Sequence, residues 1–494
     1  MGLMIRFHNT LTGAAEPFAP LRPGEVGLYT CGPTVYDFPH IGNLRAYVFE
    51  DLLKRFLAFR GFRVKHVMNL TDVDDKTIRG ANARGVTLEA YTAPFIKAFQ
   101  SDLGSLNILP ADVYPRATEH IPEMVALIQT LLEKGFAYRK EGSIYFAIDK
   151  FPAYGRLSKI SLEDRRPGQR GDSDEYEKES VHDFALWKAP KEGEPSWDTA
   201  IGPGRPGWHI ECSAMSSKYL GPTFDIHCGG VDNIFPHHEN EIAQSEAANG
   251  VKFVNYWLHC HHLVVDGQKM SKSRGNFYVL ADILGKGYDP REVRFFLLAT
   301  HYRKMLNFTF EALDQARAGR NRIRDFLIDL RGLKGDGPAG AEVFALIEAA
   351  RADFIAGLED DLNISEALAA LFSLIEKANG LIARGKASRA DAQALKSFIE
   401  AIDERVLKIE PTSVYLKADM AGQTQVGDAA AVKIDVSGDL DDAIRQKVEE
   451  RQKARAAKNF KRADEIRQEL LREGILLEDT KDGVRWKRIQ PTAS

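Results

Sequence analysis

A chain of 494 residues is too long for one hydrophobic core, which rarely grows beyond about 250–300 residues. With 44% hydrophobic and 28% charged residues the composition is that of a globular protein, and a formal net charge of −4 excludes a surface coated with phosphate-binding cations. No run approaches the roughly 20 apolar residues of a membrane helix, and the start MGLMIRFHNT lacks the apolar core of a secretory signal. Gly2 is not followed by Ser or Thr at the sixth position, which argues against myristoylation; the reading is cytoplasmic, with no membrane partner. Cysteines stand at 31, 212, 228 and 260 without a Cys-x-x-Cys pair, so neither a disulfide framework nor a zinc finger is expected. A site assembled from distant segments remains open.

In chain order, residues 26–31 (VGLYTC) read as a strand, and CGPTVYDFPH as a turn into a helix from about Gly42 to Arg60. Leu44, Val48, Leu52, Leu53 and Phe56 recur there at helical spacing. FRVKHVMNLTDV, from Phe62, reads as the next strand. Strand, helix and strand of these lengths predict a βαβ unit and a parallel sheet of Rossmann type. Residues 110–200 are less regular, with one hairpin (FAYRKEGSIYFAID), and read as an insertion between two halves of the sheet. HIECSAMSSKYLG is then a helix, TFDIHCGG a strand, HHENEIAQSEAANG a helix closed by Gly250, and YWLHCHHLVV a strand before the Asp266–Gly267 turn.

From about Asp289 to Val406 the pattern is helical. Residues 417–437 are rich in Ala, Gly and small polar residues and read as a linker, and two helices with a short hairpin follow. The expected architecture is therefore α/β. It has a catalytic domain over 1–308 (insertion at about 110–200), a helical bundle over 309–410, a linker over 411–437 and a small basic unit over 438–494.

Two motifs carry phosphate chemistry. PHIGN (Pro39–Asn43) stands where the first strand turns into its helix. A helix N-terminus offers free N–H groups and a positive dipole end; Gly42 admits close approach of a ligand, and His40 and Asn43 add side-chain donors. KMSKS (Lys269–Ser273) follows the Asp266–Gly267 turn in a polar loop. Lys269 and Lys272 there form a cationic arm able to reach a triphosphate as charge develops. Taken singly, each also reads as a capping turn or a solvated loop; together on a Rossmann-type scaffold they resemble the two signatures of the class I aminoacyl-tRNA synthetases. The resemblance implies His40, Gly42 and Asn43 near ATP and Lys272 stabilising the transition state of adenylate formation. Asn43 departs from the pattern, standing where HIGH has its second histidine; an amide donates a hydrogen bond but carries no charge.

A further constellation concerns the amino acid. Cys31 closes the first strand, Cys212 lies on the helix of PGWHIEC, and His237 and Glu241 are four apart in HHENE, on one helical face. Two thiolates, an imidazole and a carboxylate form a plausible tetrahedral zinc set, although free cysteines are often inert core residues. His238 is a rival ligand whose helical face differs from that of Glu241; Cys228 and Cys260, within apolar strands, read as core.

With these residues in place, CGPTVYDFPHIGN, PGWHIECSAM, GGVDNIFPHHENEIAQS and VDGQKMSKS together resemble the cysteinyl-tRNA synthetases over most of residues 30–275. The resemblance implies one Zn2+ per chain that binds the substrate thiol, Cys31, Cys212, His237 and Glu241 as its ligands, and Trp208 lining the amino-acid pocket. It also implies ATP with Mg2+, L-cysteine and tRNA(Cys) as partners, and a monomer. Between Arg445 and Arg467 nine Lys/Arg face four Asp/Glu. The hairpin GILLEDTKDGVRWKR adds Trp486 beside Arg485, Lys487 and Arg488: cations for phosphates and a ring for base stacking, in a unit similar to the anticodon-contacting C-terminus of bacterial members of the family. Two other readings stand beside this one: a ligase that transfers cysteine to an amino sugar, and a non-catalytic RNA-binding paralogue.

Overall fold

The structure, a computed structural model, describes residues 5–160, 183–271, 274–333 and 335–410 and parts of 447–488. Two compact units divide the chain, Met1–Tyr415 and Leu416–Ser494. The first opens with an antiparallel pair, β1 (Arg6–Asn9) and β2 (Ala14–Pro17). It continues with β3 (Glu25–Thr30), α1 (Ile41–Phe59) and β4 (Arg63–Met68). β3 and β4 pair in parallel, with Val26 beside Val64 and Leu28 beside His66, so the βαβ unit read from the sequence is present.

Helices α2 (Asp75–Arg84) and α3 (Leu88–Ser105) lead into the insertion. That stretch is more regular than its sequence indicated. Helix α4 (Ile121–Glu133) precedes β5 (Ala137–Lys140), β6 (Ser143–Phe146), β7 (Phe184–Lys188) and β8 (Arg205–Pro206), which form one antiparallel sheet. FALWK in β7 is buried at every position, so it lacks the alternation that marks a strand with one wet face.

The main sheet resumes after α5 (Trp208–Leu220) with β9 (Phe224–Gly230), α6 (Glu239–Asn249) and β10 (Val254–Cys260). Its strand order is β10-β9-β3-β4, and every pairing is parallel. β3 is covered on both faces. Val26 and Leu28 enter a core shared with α1 and the later helices, whereas Tyr29 enters one shared with α4, α5 and α6. Because β3 is flanked by β4 on one side and β9 on the other, the crevice of this sheet lies at the carboxyl ends of β3 and β9, the switch point where open α/β sheets bind ligands.

YWLHCHHLVV is two strands, not one. β10 ends at Cys260, and β11 (Leu263–Val265) pairs in parallel with β12 (Leu306–Phe308) in a separate sheet. The break is held by Arg45, buried in α1, whose guanidinium donates to the carbonyls of His261 (3.1 Å) and His262 (2.7 Å) and also binds those of His301 and Lys304.

After α7 (Leu280–Leu284) and α8 (Pro290–Leu298), β12 interrupts the expected helical run, which then continues as α9 (Phe310–Asp329), α10 (Ala341–Glu359), α11 (Ile364–Ala383) and α12 (Arg389–Ile402). Arg294 of α8 is fully buried. It donates to the carbonyls of Leu407 (2.7 Å) and Leu106 (3.0 Å) and pairs with Asp51 of α1 at 2.5 Å, tying the end of the bundle to the first βαβ unit. In the second unit β13 (Ile475–Thr480) and β14 (Gly483–Arg488) form an antiparallel hairpin that places Leu477 opposite Trp486. The expected linker at 417–437 and most of the basic run at 445–467 lie outside the described residues.

Candidate active site

The two phosphate motifs meet. His40 caps α1: its Nδ1 accepts from the Asn43 amide at 3.2 Å, while Asn43 Oδ1 accepts from the His40 amide at 3.1 Å. This reciprocal cap occupies one polar atom of each side chain. His40 Nε2 and Asn43 Nδ2 take no part in the cap. The Ile41 amide donates to the Tyr278 carbonyl at 2.9 Å, and the His40 ring meets Phe277 edge-on at 5.3 Å, so the chain after KMSKS docks on the PHIGN turn. A Cβ at Gly42 would lie 2.8 Å from Met270 Cε, the end of a flexible side chain, and 3.0 Å from the His40 ring. Within the loop Asn276 acts as a clasp. Its Oδ1 accepts from the Ser271 amide at 2.9 Å and its Nδ2 donates to the Lys269 carbonyl at 3.3 Å. Lys269 is exposed; Lys272 lies outside the described residues.

The thiol-side constellation is also brought together. Ligand atoms of Cys31, Cys212, His237 and Glu241 all fall within 4.8 Å of one another. They come from three segments of the chain. Cys31 follows β3 and donates its amide to the Cys228 carbonyl of β9 at 3.1 Å; Cys212 sits in the first turns of α5 and Glu241 in the first turn of α6. His237 precedes α6 in a wide turn over Ile234–His238, entered through extended Phe235. The ring of Trp208, the first residue of α5, stacks on His237 with centroids 4.3 Å apart at 23°, and remains 40% exposed. It therefore forms the open wall of the site.

Buried anionic donors dominate its electrostatics. The hydrogen bond with Cys31 holds the Cys212 thiol down to about 6, against burial and the charge of Glu241, and raises Cys31 correspondingly. Burial would raise Glu241, but His227 and His237 hold it down to about 2. His237, which burial would lower, is pushed up to about 10 by Cys212 and Glu241. The cluster thus stabilises positive charge at its centre. Glu241 Oε1 is fully buried and has no hydrogen bond; His237 Nε2 is 3.0 Å away as an ion-pair contact only. A buried carboxylate oxygen costs free energy unless a cation meets it, either the raised imidazole of His237 or a bound ion. Two sulfurs, one imidazole and one such oxygen fit a tetrahedral divalent ion.

Sequence reasoning set His238 aside on its helical face, and the structure corrects this. His238 Nε2 lies 3.2 Å from Cys31 Sγ and 4.0 Å from Glu241 Oε1, because residues three and four apart on a helix are both neighbours. It missed His227, His209 and His259 altogether. His227 Nε2 is 2.9 Å from Glu241 Oε2, and His209 Nδ1 is 2.9 Å from His237 Nδ1. The available signal, for His227, was a histidine between apolar Ile226 and Cys228 in the strand FDIHCGG. Cys228 and Cys260 are buried in the core as expected.

Comparison with known proteins agrees with this geometry. A family model described as tRNA synthetases class I (C) catalytic domain matches residues 17–318, and a DALR domain matches residues 353–409. The cysteine–tRNA ligase of Chlamydia muridarum is 48% identical over 98% of this chain and 99% of its own length. That of Koribacter versatilis is 46% identical over 98% and 100%. Among solved structures, Mycobacterium tuberculosis methionyl-tRNA synthetase in complex with methionyl-adenylate superposes with a TM-score of 0.61 at 18% identity, covering 78% of this chain and 92% of that one, a likeness of fold. Among the described residues no helix is long and apolar enough to cross a membrane. Matched from end to end by such relatives, the chain belongs to the cysteine–tRNA ligases, a family of class I aminoacyl-tRNA synthetases.

Proposed function

We propose that this protein activates L-cysteine with ATP and transfers it to the 3′ end of tRNA(Cys) in the cytoplasm, using one zinc ion held by Cys31, Cys212, His237 and Glu241. The observation that carries this reading is the convergence of those four donors at the switch point of the sheet, with Cys31 on the chain turn that leads into PHIGN. When bound, zinc supplies a Lewis-acid centre that bonds a thiolate far better than a serine hydroxyl, which stays protonated. A site that reads its substrate by such a bond reaches discrimination on the order of 10⁴ or more, whereas an apolar pocket sensing one methylene manages roughly 10–200-fold.

The chain's own groups then position the reaction. Trp208 closes the amino-acid side. His40 Nε2, Asn43 Nδ2 and the Gly42 amide in the first turn of α1 bind phosphate oxygens, with Mg2+ accompanying ATP as part of the substrate. A cysteine carboxylate oxygen attacks the α-phosphorus, the bond to the bridging oxygen breaks, and pyrophosphate leaves with its charge met by Lys269 and Lys272. A ribose hydroxyl of the tRNA next attacks the acyl carbon and AMP departs. The catalytic domain is assigned to 1–308, the bundle to 309–410, and anticodon contact to the basic unit at 438–494, in a monomer.

The Asn276 clasp supports a positioning role for that residue. Asn276→Ala removes two hydrogen bonds, each contributing about 0.5–1.5 kcal/mol. Cysteine-dependent ATP–pyrophosphate exchange is expected to fall about tenfold in kcat/KM for ATP, with KM for cysteine unchanged. Equal shifts in both KM values would remove Asn276 from the loop's function.

The reading as a whole is tested by incubating the protein with ATP, magnesium, labelled cysteine and unfractionated bacterial tRNA. Label is expected on tRNA, not with serine, and not with Cys212→Ala. Pyrophosphate release with tRNA left uncharged would move the assignment to a ligase acting on an amino sugar.

A further inference from the structure

A second set of four donors lies against the first. Ligand atoms of Cys31, His227, His238 and Glu241 also fall within 4.8 Å of one another, and only Cys31 and Glu241 are common to both sets. Both added imidazoles point Nε2 inward: His227 toward Glu241 Oε2 at 2.9 Å, His238 toward Cys31 Sγ at 3.2 Å. Their other nitrogens are occupied. His227 Nδ1 lies 3.2 Å from the Cys228 carbonyl; His238 Nδ1 lies 2.8 Å from His259 Nε2, and His259 Nδ1 lies 2.8 Å from Thr10 Oγ1.

A carbonyl and a carboxylate oxygen both only accept, so His227 has an acceptor against each of its ring nitrogens. An imidazole that donates its far N–H to a carbonyl or another ring while its near nitrogen faces sulfur and carboxylate has the arrangement of a metal ligand. His238 has the same arrangement through His259 and Thr10.

We propose that the protein has a second, inner position for a divalent zinc-type ion, formed by Cys31, His227, His238 and Glu241 and mutually exclusive with the outer one. This rests on the reading of the outer set as a metal site. The two positions differ in access. His227 and His238 are 0% exposed, and His227 stacks on Trp257 at 4.5 Å, itself buried, whereas the outer set abuts the exposed ring of Trp208. An ion in the inner position is out of reach of a thiol entering past Trp208. It also leaves Cys212 and His237 without metal, so the inner state is bound but inactive. With one sulfur instead of two, the inner position discriminates less in favour of soft ions.

Cobalt-loaded protein tests this, because thiolate-to-cobalt charge transfer counts sulfur ligands. Cys212→Ala/His237→Ala removes the two donors unique to the outer set. It is expected to retain one metal per chain with half the parent's charge-transfer absorption, and to lose cysteine-dependent exchange. Adding His238→Ala is expected to abolish metal binding. If the double variant keeps the parent's circular dichroism and ATP binding but holds no metal, the inner position is refuted and His227 and His238 merely orient ligands; metal in the parent would leave the outer reading intact. A metal-free parent would overturn both. Should the double variant not fold, the near-isosteric Cys212→Ser decides by X-ray absorption. Two imidazoles per metal support the inner position; one imidazole, or no metal, overturns it.

Discussion

Glu241→Ala is expected to leave the protein without bound metal and to lower cysteine-dependent ATP–pyrophosphate exchange by at least about 10³-fold, within the selectivity of ~10⁴ that a bonded substrate group can carry. Glu241 is common to both candidate donor sets, so no rearrangement among Cys212, His227, His237 and His238 restores a complete one. Its carboxylate is also what gathers the imidazoles: His227 lies 2.9 Å from one oxygen and His237 3.0 Å from the other. Removing the anion leaves the metal's charge less balanced in a buried site, where a carboxylate is worth more than in water. Glu241→Gln, which keeps the shape and loses the charge, is expected to fall between the two. Metal per chain and exchange rate are the readouts, with circular dichroism to establish folding. A folded Glu241→Ala protein with full metal and normal exchange would remove this residue from the site.

The second large effect is on stability. Arg294→Met is expected to destabilise the first unit by about 3–5 kcal/mol, the usual cost of leaving half of a buried ion pair behind. Arg294 makes contacts in three directions, to Asp51, to the Leu106 carbonyl and to the Leu407 carbonyl. Met fills much of the volume but satisfies none of these. Arg294→Lys retains the charge without the planar fork and is expected to recover only part of the loss. Denaturant midpoints of the three proteins check this. A shift below about 1 kcal/mol, the size of an ordinary substitution, would mean that Asp51 is sufficiently held by Arg55 and the Leu109 amide alone.

Much of the scaffold was legible because its signals are local. The helical spacing of Leu44, Val48 and Leu52 announced α1 within a residue of its start, and Gly250 marked the end of α6. Where burial is two-sided the signal weakens. FALWK is apolar at nearly every position and gave no period by which to recognise β7, and the β10–β11 break is made by Arg45, some 215 residues earlier in the chain. No spacing rule reaches across that distance.

The candidate site divides in the same way. Cys31, Cys212, His237 and Glu241 could be named from the sequence because donor types, motif neighbours and the four-residue step from His237 to Glu241 all lie along the chain. PHIGN and KMSKS were likewise visible as words. What lay beyond the sequence was mutual position: the docking of Tyr278 on Ile41, the Asn276 clasp, and the approach of His227 and His238 to the same carboxylate and thiol. A strand histidine looks the same on paper whether it ends in apolar packing or beside Glu241. Parallel pairing of β3 with β9 sets Tyr29 against His227, and only that register brings the imidazole to the cluster. Residue chemistry and local period are properties of the sequence; which donors share one small volume is decided by tertiary packing, because contacts such as those of His238 with Cys31 and of Tyr278 with Ile41 join residues more than 200 apart and are specified by the sheet.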